Sequence, residues 1–307
     1  MDENFAKVLA FVVFICLGWF LRKRSILKPE AFHAISGLVL YVTLPCTIFT
    51  NLNGVKIEGV MLTVALLGLL SNFIFLGVAK FLTRREKDAQ HRDFFLQNFG
   101  GYSIGPMAVP FVQAFYPTTG LLTACMFDVG NVVMSGGGTY AIIAGSREHG
   151  GFLRFLKTLA SKMVRSGPLM AFFVMVILSV LDLKFPDTVI TITRVGALAN
   201  MFLCMIMIGE TINLKMTREQ MKKVAVILFW RWCVCIVFAL ASWFVLPFEG
   251  EVRIAMVLVS LAPIPPMSLI YTAQLKGDIG LAANLNSISV LCSIAAMSSA
   301  LMLLGLL

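Results

Sequence analysis

Two segments of this chain place irregular backbone inside apolar sequence, and that is where its chemistry is expected. The first is Gly100-Gly101-Tyr102-Ser103-Ile104-Gly105-Pro106-Met107-Ala108-Val109-Pro110, and the second is Ser260-Leu261-Ala262-Pro263-Ile264-Pro265-Pro266-Met267. Proline removes a backbone donor and clashes with the preceding turn, so each segment predicts a helix broken near its middle. Within a bilayer, unwound backbone is tolerated only where it is buried in protein or lines a cavity. A new half-helix begins after each break, with Pro106 in one and Pro265 or Pro266 in the other suited to its first turn. Free N–H groups and the positive dipole end of such a half-helix attract an anion without any buried Lys or Arg. The expected chemistry is therefore binding of a small anionic or carboxylate substrate. The residues concerned are Ser103, Gly105, Pro106 and Pro110 on the first segment and Ser260, Pro263 and Pro266 on the second.

Few polar side chains accompany these breaks. Asp128 and Asn131 stand three apart and so share a helix face. A carboxylate near the middle of a membrane span is costly and functional by default. Asp128 therefore has two readings: a proton or cation coupling site, or a structural acceptor for N–H groups freed by the first break. Asn284, Asn286, Ser287 and Ser289 make part of the last apolar run polar, and Asn284 and Ser287 join Asp128 as coupling candidates. Thr43, Pro45 and Asn200 are central in two other runs and count, with Asn131, as substrate-binding candidates. Arg231 sits between Trp230 and Trp232, and three roles are open to it: contact with the anion, a pair with Asp128, or snorkelling to the membrane surface. His33, His91 and His149 lie in or beside loops, and there is neither an H-E-x-x-H nor a P-loop pattern. No metal or other cofactor is expected and no enzyme chemistry, while coupling to H+ or Na+ stays open.

The elements that must hold these residues follow from composition. Of 307 residues, 59% are hydrophobic and 13% charged, about half the charge of a soluble domain, which excludes an ordinary soluble enzyme. Apolar runs fall at Phe5–Leu21, Ala34–Leu52, Val60–Leu82, Phe94–Ala114 and Gly120–Ala144. A second set falls at Gly167–Leu181, Val189–Gly209, Val224–Leu246, Arg253–Leu275 and Leu281–Leu304. Ten transmembrane helices of an all-α integral membrane protein are expected. Nineteen of the 25 Lys and Arg lie in the odd-numbered loops, five lie on the other side, and Arg231 is within helix 8. By the positive-inside rule this predicts a multi-pass protein of the cytoplasmic membrane, with both termini outside and loop 146–166 in the cytoplasm. The net charge of +9 then reads as topology and lipid contact rather than nucleic-acid binding.

That loop divides the chain into a five-helix unit at 1–145 and another at 167–307. With an odd number of spans each, two similar units would be inverted. A shift of 156 aligns Pro110 with Pro266, Asp128 with Asn284, Asn131 with Ser287 and Pro45 with Met201. Paired broken helices in inverted repeats point to the binding site of a secondary transporter. A passive anion channel or uniporter of the same fold is the alternative.

Several motifs, in order along the chain, resemble the auxin efflux carrier family in its short prokaryotic form. They are Gly18-Trp19-Phe20-Leu21-Arg22-Lys23-Arg24, Leu38-Val39-Leu40-Tyr41-Val42-Thr43-Leu44-Pro45, Tyr102-Ser103-Ile104-Gly105, Val109-Pro110-Phe111-Val112, Phe127-Asp128-Val129-Gly130-Asn131, Ile208-Gly209 and the stretch Ala262–Asn286. The resemblance implies that helices 4 and 9 cross at their breaks. It also implies a scaffold of helices 1, 2, 6 and 7, a moving transport unit of helices 3–5 and 8–10, an elevator-type motion, a homodimer, and an organic anion such as a small carboxylate as substrate. Two positions depart from the family pattern: Gly101 stands where the family often has Asn, and Met201 where it often has Pro.

Overall fold

A computed structural model describes residues 3–28, 31–57, 59–145, 166–212 and 216–304. The expected linker, apart from Ser166, lies outside the described residues, as does His149. Every regular element among the described residues is helical. In chain order these are α1 (Glu3–Lys23), α2 (Ala31–Leu52), α3 (Val60–Leu82), α4a (Ala89–Phe99) and α4b (Ile104–Phe115). Then come α5 (Thr119–Val133, continued through Met134–Gly138 and Thr139–Gly145), α6 (Gly167–Val180), α7 (Asp187–Thr211), α8 (Arg218–Phe244), α9a (Gly250–Ser260), α9b (Met267–Gln274) and α10 (Ile279–Leu303).

Among the described residues, α2, α3, α7, α8 and α10 are long and apolar enough to cross a membrane. Their outward faces agree with that. Leu62, Leu66, Leu70 and Phe73 on α3, Ile192, Val195 and Leu198 on α7, and Val226, Phe229 and Val237 on α8 are all exposed. Apolar rows of this extent cannot face water in a soluble monomer, so the protein is a helical membrane protein. Expected spans four and nine are each in two pieces, and the pieces are too short to count singly.

Local sequence explains the starts and the interruptions. Asp88 caps α4a by accepting from Gln90 N–H, and Asp278 caps α10 by accepting from Leu281 N–H. Thr217 and Gln220 form a capping box at the start of α8. Two prolines follow π-helical turns: Val39–Thr43 precedes Pro45, and Ile104–Ala108 precedes Pro110. The wider turn lets a helix continue past a residue that has no N–H and whose ring crowds the turn before it. Helix α7 has Met201 near its middle and runs unbroken from Asp187 to Thr211. Expected helix 5 is not one regular run. It passes through a π turn at Met134–Gly138, where Gly137 has φ of 138°.

Packing joins α1 and α2 to α7, and α6 to α2. Separately, α3 packs on α5, α5 on α9a, and α8 on both α9a and α10. The first half of α4 touches α3, α8 and α9b, so the break is held inside the second set.

Candidate functional site

The two breaks meet. Ser103 N–H donates to the Pro263 carbonyl at 2.8 Å, so unwound backbone from one broken helix is bonded directly to that of the other. Around this contact several freed backbone groups find side-chain partners, as buried backbone requires. The first break is held from α5. Asn131 accepts from Tyr102 N–H at 3.1 Å and donates to the Tyr102 carbonyl at 2.8 Å. The Asn131 carbonyl oxygen also takes a bond from Asn72 on α3 at 3.2 Å, and its amide reaches an Asp128 carboxylate oxygen at 2.9 Å. The second break is held from α10, where Ser289 accepts from Ile264 N–H at 3.0 Å and Asn286 donates to the Ile264 carbonyl at 2.7 Å.

Several expectations change here. The freed N–H group of Tyr102 goes to Asn131, not to Asp128 as the structural reading of Asp128 supposed, and Asp128 only braces that amide. The sequence shift paired Asn131 with Ser287, yet the residues on α10 that do its work are Asn286 and Ser289. Ser287 instead points its hydroxyl at the carbonyls of Ala283 and Thr211, the latter at the end of α7. Asn284 is buried on the same helix, and Ser260 spends its hydroxyl on Val257 of its own helix. Arg231 overturns both the snorkelling reading and the pair with Asp128. It is 1% exposed and donates to the carbonyls of Phe99 at 2.7 Å, Gly101 at 2.7 Å and Ala262 at 3.1 Å. These three bonds commit the guanidinium to backbone carbonyls of both breaks.

Gly101 sits where a side chain would not fit. Its φ is +80°, and a Cβ there would lie 2.9 Å from Pro265 Cγ. A side chain would be strained by the backbone and would press on the opposing break.

The remaining candidates sit where the two sets of helices face each other. Thr43, at the end of the π turn in α2, donates to Asn200 Oδ1 of α7 at 2.9 Å, and both are buried. The Asn200 amide nitrogen has no hydrogen-bond partner among the described residues. The π turn of α2 and helix α7 both pack against Ile104–Ala108, the start of α4b. Nearby, a cavity of about 20 Å³ is lined by Leu44 and Ile48 of α2, Gly105 and Val109 of α4b, Cys125 and Asp128 of α5, and Pro168, Leu169 and Phe172 of α6. That is room for about one water, too little for an organic acid in this conformation. Pro45 and Pro110 are buried in helix just past their π turns, and Pro106 and Pro266 lie at the starts of the second half-helices.

Sequence reasoning missed Asn72 and the binding mode of Arg231, and it named Asn286 and Ser289 without assigning them the second break. Each is a polar residue inside an apolar run, and that was the only signal available for them.

The family model described as the Sodium Bile acid symporter family matches residues 195–306, a little over a third of the chain, from within α7 through α10. No curated protein matches. A symporter is a carrier and not an enzyme. With helices that suit a membrane and two broken helices bonded at their centres, the chain is similar at this coarse level to membrane transporters.

Proposed function

We propose that this protein is a secondary transporter of a small organic anion. The observation that carries the reading is the backbone bond between Ser103 and Pro263, which brings the starts of α4b and α9b to one place. Helix starts carry positive partial charge and unspent N–H groups. Pro106, Pro265 and Pro266 have no N–H, so the donors open to an anion are those of Ile104, Gly105 and Met107 on one side and Met267 on the other. The unpartnered Asn200 amide, on a helix that packs against Ile104–Ala108, adds a donor. In this reading the chain has ten spans in two inverted five-helix units, 1–145 and 167–307, in the cytoplasmic membrane. Helices α1, α2, α6 and α7 are the scaffold of a homodimer, and α3–α5 with α8–α10 form the moving unit of an elevator. The small cavity between the two sets is the substrate site in a closed form. It opens when the sets shift, with Asp128 as the coupling or organising group and H+ or Na+ as the ion. The likeness to auxin efflux carriers supports the carboxylate, and the sodium and bile acid of the matched family's description agree with an organic acid carried with a cation.

A thermal-shift screen of purified protein against carboxylates tests this, followed by proteoliposome flux of each hit with and without pH and Na+ gradients. Stabilisation by at least one carboxylate and saturable flux with trans-stimulation are expected. Channel-sized conductance steps would turn the reading to a passive pore, and no response to any anion would overturn it. Asp128→Asn should keep binding while removing the dependence of flux on pH; persistence of that dependence would exclude Asp128 as the coupling group.

A further inference from the structure

Among the described residues, Arg231 is the largest side chain buried to this depth, and it is charged. Taking a cation out of water costs several kcal/mol unless it is compensated. No carboxylate lies within 4.0 Å of it among the described residues. Its compensation comes from neutral groups. Three are the carbonyls of Phe99, Gly101 and Ala262, and the others are the ring faces of Phe75 and Tyr102, at 4.9 and 5.6 Å from the guanidinium carbon. Phe99 ends α4a, and Ala262 follows the last residue of α9a by two positions. The negative ends of both first half-helices therefore converge on a single guanidinium.

Converging carbonyls are what a bound monovalent cation meets in a protein. We propose that Arg231 is a resident cation of the crossing, a guanidinium held in a carbonyl site that would otherwise call for a free ion. The charge neutralises the two C-terminal ends at once and ties them together, while the starts of α4b and α9b are left unneutralised. It follows that removing the side chain leaves behind a cation site, and a small planar cation should fill it. This concerns the stability of the crossing and does not depend on which substrate is carried or on whether transport occurs.

The test is chemical rescue in the purified, detergent-solubilised full chain. Arg231→Ala should lower the melting temperature by roughly 10 °C, as three buried carbonyls lose their partner. Guanidinium chloride at about 20 mM, far below the molar range that unfolds proteins, should restore about half of that loss. Urea, the neutral planar analogue, should restore none at the same concentration, with chloride held constant by choline, and neither should raise the melting temperature of the unsubstituted protein. Equal effects of urea and guanidinium on Arg231→Ala would overturn the proposal. If that variant does not fold, Arg231→Lys and Arg231→Met decide. The lysine variant keeps the charge and should melt well above the methionine variant, and equal or reversed melting temperatures would overturn the resident-cation role.

Discussion

Asn131 shows how one side chain can replace a stretch of helix. An unwound peptide in an apolar interior needs a donor and an acceptor together, and a carboxamide supplies both in one plane. Asn131 gives Tyr102 that pair, and its geometry is fixed by Asn72 and Asp128. Asn131→Ala should therefore strand both the N–H and the carbonyl of Tyr102, at a cost of about 2–4 kcal/mol. Asn72→Ala removes one bond from a side chain that keeps others, and should cost about 1 kcal/mol or less. Melting temperatures of the two variants check this order, and a larger loss for Asn72→Ala would reject it. On α10 the same task is divided between Asn286 and Ser289. That division is why pairing residues one for one between the two halves misplaced it onto Ser287.

At the scale of elements, helix pairs in this molecule are set by how closely their backbones approach. In lipid there is no hydrophobic drive between helices, so close van der Waals contact at small residues decides which pairs form. The contact of α3 with α5 is the clearest case, since a Cβ on Gly130 would lie 1.9 Å from the Ala65 carbonyl oxygen. Gly130→Ala should push α3 away from α5 and lower stability by about 1–3 kcal/mol, although alanine is the better helix former. An unchanged or raised melting temperature would show that the pair is looser than described. Because α5 also carries Asp128 and Asn131, the same change should weaken their hold on the first break.

At the scale of the whole molecule, two sets of helices face each other across the cavity beside Asp128. Gly105 of α4b meets Leu44 of α2 there, and a Cβ on Gly105 would lie 3.3 Å from Leu44 Cδ2. An elevator requires these surfaces to part during each cycle. In a chain whose seven native cysteines are replaced, Leu44→Cys with Gly105→Cys, joined by a short thiol cross-linker, should reduce flux to background, and a reductant that cleaves the linker should restore it. Full flux from completely cross-linked protein would rule out relative motion of the two sets at this point.

Helical class, the apolar runs and the positions of both breaks were legible in the sequence because each depends on neighbours only a few residues apart. A proline lacks its N–H wherever it stands, and an apolar run must satisfy its own backbone. Tertiary structure alone decided the partners across the chain. Arg231 meets Phe99 and Ala262, Ser103 meets Pro263, and Thr43 meets Asn200. A long guanidinium side chain carries no mark in the sequence that tells a backbone carbonyl from a substrate anion or the membrane surface. Its choice depends on which helix ends are brought within reach, and only the packed fold sets that.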